Sequence, residues 1–118
     1  MDPINYDGRS FRSSAAETAT AGGQGPTGHF HQDGGEVWAE FAGGKVVRGR
    51  WVGTCAPDGT LEFAYCQLLA DGEVVAGLCT SKPEILDDGR IRLAEHWRRF
   101  DRTRSTGISY IEEVAGPG

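Results

Sequence analysis

The run "RIRLAEHWRRF", residues 90–100, holds the side chains best placed to do chemistry. Read as a strand, it alternates Ile91, Leu93, Glu95 and Trp97 on one face with Arg90, Arg92, Ala94, His96 and Arg98 on the other. The arginine face is the wet one, so Glu95 belongs to an apolar face beside an indole. A carboxylate there needs a buried partner or must hold a proton, because burying it ionised and unpaired costs several kcal/mol. Three roles follow. Glu95 can orient a small ligand, it can sit in a structural network with a cation such as Arg50, or its raised pKa can make it a general acid or base.

The same alternation brings other candidates inward. On "LEFAYCQLLA" the face of Leu61, Phe63, Tyr65, Gln67 and Leu69 carries a phenol and an amide. On "GISYIEEV" the apolar stripe of Ile108, Tyr110 and Val114 contains Glu112. The expected site is therefore Glu95 and Glu112 as candidate acid/base groups, with Trp97, Tyr65, Gln67, Tyr110 and Arg50 around a ligand. The inward face stays open for residues 36–42, where Val37, Ala39 and Phe41 oppose Trp38 and Glu40. It also stays open for 45–56, where Arg48 and Arg50 interleave with Val46, Val52 and Thr54.

Other motifs carry less. "HFH" places His29 and His31 on one face, which suits two metal contacts but lacks a third ligand, so no metal is expected. "AGGK" lacks the Ser/Thr and helix of a phosphate loop and reads as a hairpin. No cofactor is implied. Cys55, Cys66 and Cys79 have no paired spacing and read as free thiols in strands.

The elements that position these residues are read from the turns. "QDGGE", "AGGK", "PDGT", "ADGE" and "DDGR" each separate β-rich runs, and their glycines supply the positive φ of tight hairpins. With "NYDGRSFRS", "GHFHQ" and "GISYIEEV" added, about eight strands follow one another in an all-β, antiparallel, up-and-down meander. Closure into a small calycin-like barrel removes the exposed edges, and Gly49, Gly53 and Gly77 inside strands allow the bends it needs. Residues 1–118 read as one barrel domain, with a flexible Gly-rich loop at about 14–27 and a disordered tail at 115–118. Such a barrel has room for packed side chains or one small ligand.

Composition narrows the partners. The net charge of −5 argues against nonspecific nucleic-acid or anionic-membrane binding. The N-terminus "MDPINYDGRS" shows no signal pattern and no long apolar run follows it, so the expected compartment is the cytoplasm and the expected partner a small molecule.

"VWAEFAGGKVVRG", "GLCTSKPEILDDGRIRLAEHW" and "IEEV" resemble a group of short bacterial proteins commonly labelled N-acetylglutamate synthase, over roughly residues 5–114. The resemblance implies a bacterial source and transfer of an acetyl group from acetyl-CoA. Such transfer uses backbone amides at a strand-to-helix turn to hold the pyrophosphate. The nearest run, "RWVGTC" at 50–55, ends in Cys and is followed by "APDG" rather than a helix, so the residues themselves predict weak or absent acetyl-CoA binding.

Overall fold

The computed structural model describes residues 4–13 and 25–114. They form eight antiparallel strands in chain order: β1 Ser10–Ser13, β2 Thr27–Asp33, β3 Glu36–Gly43, β4 Val46–Cys55, β5 Leu61–Leu69, β6 Val74–Ile85, β7 Ile91–Arg99 and β8 Thr106–Glu113. Each pairs with the next, and β8 returns to β1 through Phe11↔Glu113 and Arg12↔Glu112, which closes the barrel. The expected all-β up-and-down barrel is the observed fold. Most of the anticipated flexible loop (14–24) and the tail (115–118) lie outside the described residues; at the loop's end, Gly25 and Pro26 are buried and Thr27 already opens β2.

Turn chemistry sets the meander. Gly34, Gly44, Gly59, Gly72 and Gly89 all take positive φ, one in each turn read from the sequence. Three of these turns repeat one device: Asp58, Asp71 and Asp88 accept from the amides of Thr60, Glu73 and Arg90 through their Oδ1 atoms.

Below the middle of the barrel the interior is solid. Residues 4–9, read from sequence as part of the first strand, instead turn at Asp7–Gly8 and tuck Tyr6 under the barrel. The Tyr6 hydroxyl donates to the Gly59 carbonyl at 2.6 Å, and its ring meets Phe11 and Phe30 at centroid distances of 6.3 and 6.0 Å. Leu61, Ile91, Leu93 and Ile111 fill the space around them. Arg9 crosses the β1–β8 seam to the Glu113 carboxylate at 2.9 Å, and Glu113 also accepts from the Ile91 amide. This base plugs one end of the barrel, and among the described residues the lumen opens toward the opposite end.

Candidate functional site

The upper lumen is built on a rule of pairing. Four of the large inward aromatics each face an inward glycine on a neighbouring strand: Phe41 opposite Gly28, Phe63 opposite Gly53, Tyr65 opposite Gly77, and Trp97 opposite Gly107. A Cβ on any of these glycines would fall within 2.6 Å of its partner side chain. Gly53 and Gly77, read from sequence as sites of bending, are thus seats for rings. The register irregularity in β4 falls between Val46 and Arg48.

The rings form a continuous wall. Phe41 stacks on Trp51 at 4.2 Å and Trp51 on Phe63 at 3.9 Å. Across the lumen stands Trp97, with the Arg99 guanidinium 5.4 Å from its ring centre. Between them is a cavity of about 70 Å³, taken as the space open to the centre of a water molecule. One water needs roughly 10–15 Å³ in this measure, so several waters or a small ring fit. Tyr65, Gln67, Cys79, Glu95, Ser109 and Arg99 give the cavity its polar groups.

Glu95 lies in this cavity as β7 alternation requires, only 6% exposed. Its neighbours across the sheet are Ser81 on β6 and Ser109 on β8. Burial pushes its pKa up to about 8, and the two serine hydroxyls offset only part of that rise. The carboxyl is therefore mostly protonated at neutral pH, and its Oε2 has no hydrogen-bond partner among the described residues. Burial also pushes the Cys79 thiol up to about 12, with Glu95 adding to the rise. The Tyr65 hydroxyl is raised by burial, with Arg99 pulling it back.

Of the residues expected at the site, Glu95, Trp97, Tyr65 and Gln67 meet in the lumen. Arg50, Tyr110 and Glu112 do not. Arg50 is exposed on the outer wall, where its Nη1 donates to the Gly49 carbonyl, so it cannot be the buried partner of Glu95. On β8 the inward face is Gly107, Ser109, Ile111 and Glu113, the reverse of the expected one. Trp97 and Glu95 take the room opposite Gly107 and Ser109, so β8 turns its small residues inward. Its bulkier ones, Ile108 and Tyr110, go outward, 58% and 42% exposed. Tyr110 lies under the Arg92 guanidinium at 5.3 Å, and Glu112 stands among Arg12, Arg90 and Arg92 on the outside. Without Glu112, Glu95 is the one carboxyl lining the cavity among the described residues.

Sequence reasoning missed Phe41, Cys79, Arg99 and Ser109 as lining groups, and read Trp51 no more closely than as a core or lumen aromatic. The glycine opposite each ring, readable once the hairpins are aligned, would have found Phe41. His29 and His31 face outward; His29 meets Ser10 at 2.7 Å, and His31 meets Glu40 at 2.8 Å while stacking on Trp38. No three metal-ligating side chains converge among the described residues. Cys66 faces out while Cys55 and Cys79 face in, two strands apart.

A family model of the avidin-like proteins matches residues 4–114, almost the entire chain and all eight strands. The chain belongs to the avidin-like family. This overturns the resemblance to proteins labelled N-acetylglutamate synthase: the matching family is one of streptavidin-type barrels, and no helix stands after "RWVGTC", where β4 instead turns into β5. No curated protein and no solved structure matches the chain significantly. Like the avidin-like family to which it belongs, this protein is a small-ligand-binding β-barrel, with a partly polar, aromatic-lined lumen as the pocket.

Proposed function

We propose that the protein holds a single small ligand with a flat, apolar ring body and a neutral hydrogen-bonding group, such as an amide, lactam or cyclic urea, at its buried end. The observation that carries this reading is the Glu95 carboxyl, buried among rings with Oε2 unpartnered among the described residues. Leaving such an oxygen unsatisfied costs about 1–3 kcal/mol, which a ligand N–H or carbonyl can recover. A protonated carboxyl both donates and accepts, so it matches a neutral group that does the same. The walls of Trp51, Phe63 and Trp97 suit a flat ring, since stacked rings add stabilisation beyond the area they bury.

Avidin-like proteins bind small molecules such as biotin, so biotin is the first compound to test. The decisive experiment is mass spectrometry of the gently purified protein, after incubation with a pool of small ring compounds that includes biotin. A compound retained at one per chain by the native protein, and released by Trp97→Ala of unchanged circular dichroism, is the expected result. Equal retention by both proteins, or retention of nothing, overturns the reading.

A further inference from the structure

Along the inward face of β6 the residues run Gly77, Cys79 and Ser81, and the two ends of this run meet groups of different chemistry. At the Ser81 end stands the Glu95 carboxyl, bonded by the Ser81 and Ser109 hydroxyls. At the other end the Tyr65 hydroxyl lies over Gly77, 2.6 Å from where a Cβ on that glycine would fall. The phenol oxygen accepts from the Arg99 guanidinium, which leaves the phenol's own proton for another acceptor. The ends are four residues apart on one strand, roughly 13 Å between Cα positions at about 3.3 Å per residue. Both side chains line the same cavity, close enough for the Glu95 charge to act on the phenol. Between them the wall is neutral: burial and Glu95 keep the Cys79 thiol protonated, its Sγ 3.6 Å from the Ser81 Oγ.

A carboxyl at one end and a phenol backed by a guanidinium at the other divide the work that removing a proton from carbon requires. A C–H beside a carbonyl is a weak acid, so the base must be stronger than an ordinary carboxylate. Burial beside two serines gives Glu95 that strength. The carbonyl oxygen must meet a donor as it gains charge, and Tyr65 with Arg99 behind it supplies one. The Glu95 Oε2 has no partner among the described residues, so no internal bond has to break before it takes a proton.

We infer that the lumen catalyses enolisation: Glu95 removes a proton from the carbon α to the carbonyl of a flat ring ketone, while Tyr65 donates to the carbonyl oxygen. This rests on the ligand-binding reading above and adds a reaction to it. The step balances within the cavity. The C–H electron pair becomes the C=C bond of the enolate, and the carbonyl π pair moves to oxygen. Glu95 holds the proton until it returns to the same carbon or to a conjugated one, so no co-reactant is consumed. The carboxyl binds as an acid and reacts as its anion, so the reactive fraction is a minority at neutral pH and grows as pH rises through about 8. The titratable groups that share the cavity with Glu95 are Tyr65 on β5, Cys79 on β6 and Arg99 on its own strand; β8 presents Ser109 and Ile111, and no other titratable group lines it among the described residues.

The test is deuterium exchange at the α carbon of 1-indanone, a flat ring ketone, followed in D2O by proton NMR, with binding measured in parallel by quenching of tryptophan fluorescence. The native protein should exchange these protons roughly 10²-fold faster than buffer at the same pH, the scale of general-base catalysis. The protein-dependent rate should climb through about pH 8 and level off above it. Glu95→Gln should still bind 1-indanone and exchange it at the buffer rate. Tyr65→Phe should keep the pH profile and lose about tenfold or more in rate. Glu112→Gln, which removes a carboxylate from the outer wall, should match the native protein. A native protein that binds 1-indanone without accelerating exchange, or a Glu95→Gln protein as fast as the native one, overturns the inference and leaves the ligand-binding reading standing. Failure of 1-indanone to bind the native protein overturns both, since it has the flat ring body and neutral acceptor that reading calls for.

Discussion

Replacing Glu95 with Gln should make the protein more stable, and increasingly so as pH rises. The unfolded carboxyl ionises near its ordinary value of 4.5, whereas the folded one holds its proton to about 8. Below pH 4.5 both states are protonated and the side chain is neutral in its effect. Between 4.5 and 8 the unfolded state gains from ionisation that the folded state cannot match, so stability is lost as pH climbs through this window and levels off above it. At 1.36 kcal/mol per pKa unit, the loss is about 3 kcal/mol at pH 7 and about 5 kcal/mol above pH 8. Glutamine keeps the shape and never ionises, so this loss disappears in Glu95→Gln. Urea denaturation of both proteins at pH 4.5, 7 and 9 should show curves that nearly coincide at the lowest pH. At pH 7 they should separate by about 3 kcal/mol, or roughly 10 °C in Tm. A buried ion pair would give the opposite sign, because removing one charge strands the other. A variant less stable than the native protein at pH 9, or a difference that does not change with pH, would refute the argument that Glu95 is buried and neutral.

Gly53→Ala should cost about 3 kcal/mol or more, because a Cβ would sit 2.0 Å from the Glu62 carbonyl oxygen and 2.5 Å from Phe63 Cβ. Gly35→Ala, whose nearest neighbour would be 3.9 Å away, should change stability by less than about 0.5 kcal/mol, and thermal melts of the two variants make the comparison. Tyr6→Phe removes the buried hydroxyl on the Gly59 carbonyl and should lose about 1–3 kcal/mol in chemical denaturation, with ligand affinity unchanged because the plug lies below the cavity. In thiol titration of the native protein at pH 8, Cys66 should react first and Cys79 only on unfolding, when the total reaches three; early reaction of Cys79 would contradict its burial.

How much of this was legible in the residues depended on which signals had a single meaning. The Asp-Gly and Gly-Gly turns did, since an L side chain rarely takes positive φ; the meander follows from them. β7 was legible because its arginines could only face water, and that placed Glu95 and Trp97 correctly. β8 misled because hydrophobicity was taken as the mark of the inner face. In a small barrel the inner face must also conserve volume, and next to Trp97 and Glu95 it does so with Gly107 and Ser109. Arg50 was drawn inward to neutralise Glu95, a need that vanishes once the carboxyl holds its proton. In β3 and β4 both faces carried an aromatic or a valine, so neither Phe41 nor Trp51 could be assigned until the register was known.

The central claim, that the ligand enters the lumen, is tested most directly by the three tryptophans, which divide between the two faces of the wall. Trp51 and Trp97 line the cavity, and Trp38 lies outside against His31. Protein labelled with 5-fluorotryptophan, its three fluorine signals assigned by single Trp→Phe changes, is titrated with the retained compound, or with 1-indanone as a probe. The account predicts that the signals of Trp51 and Trp97 move together and saturate at one ligand per chain while that of Trp38 stays fixed. Saturable movement of Trp38 with Trp51 and Trp97 unmoved would place the ligand on the outer wall and contradict the account.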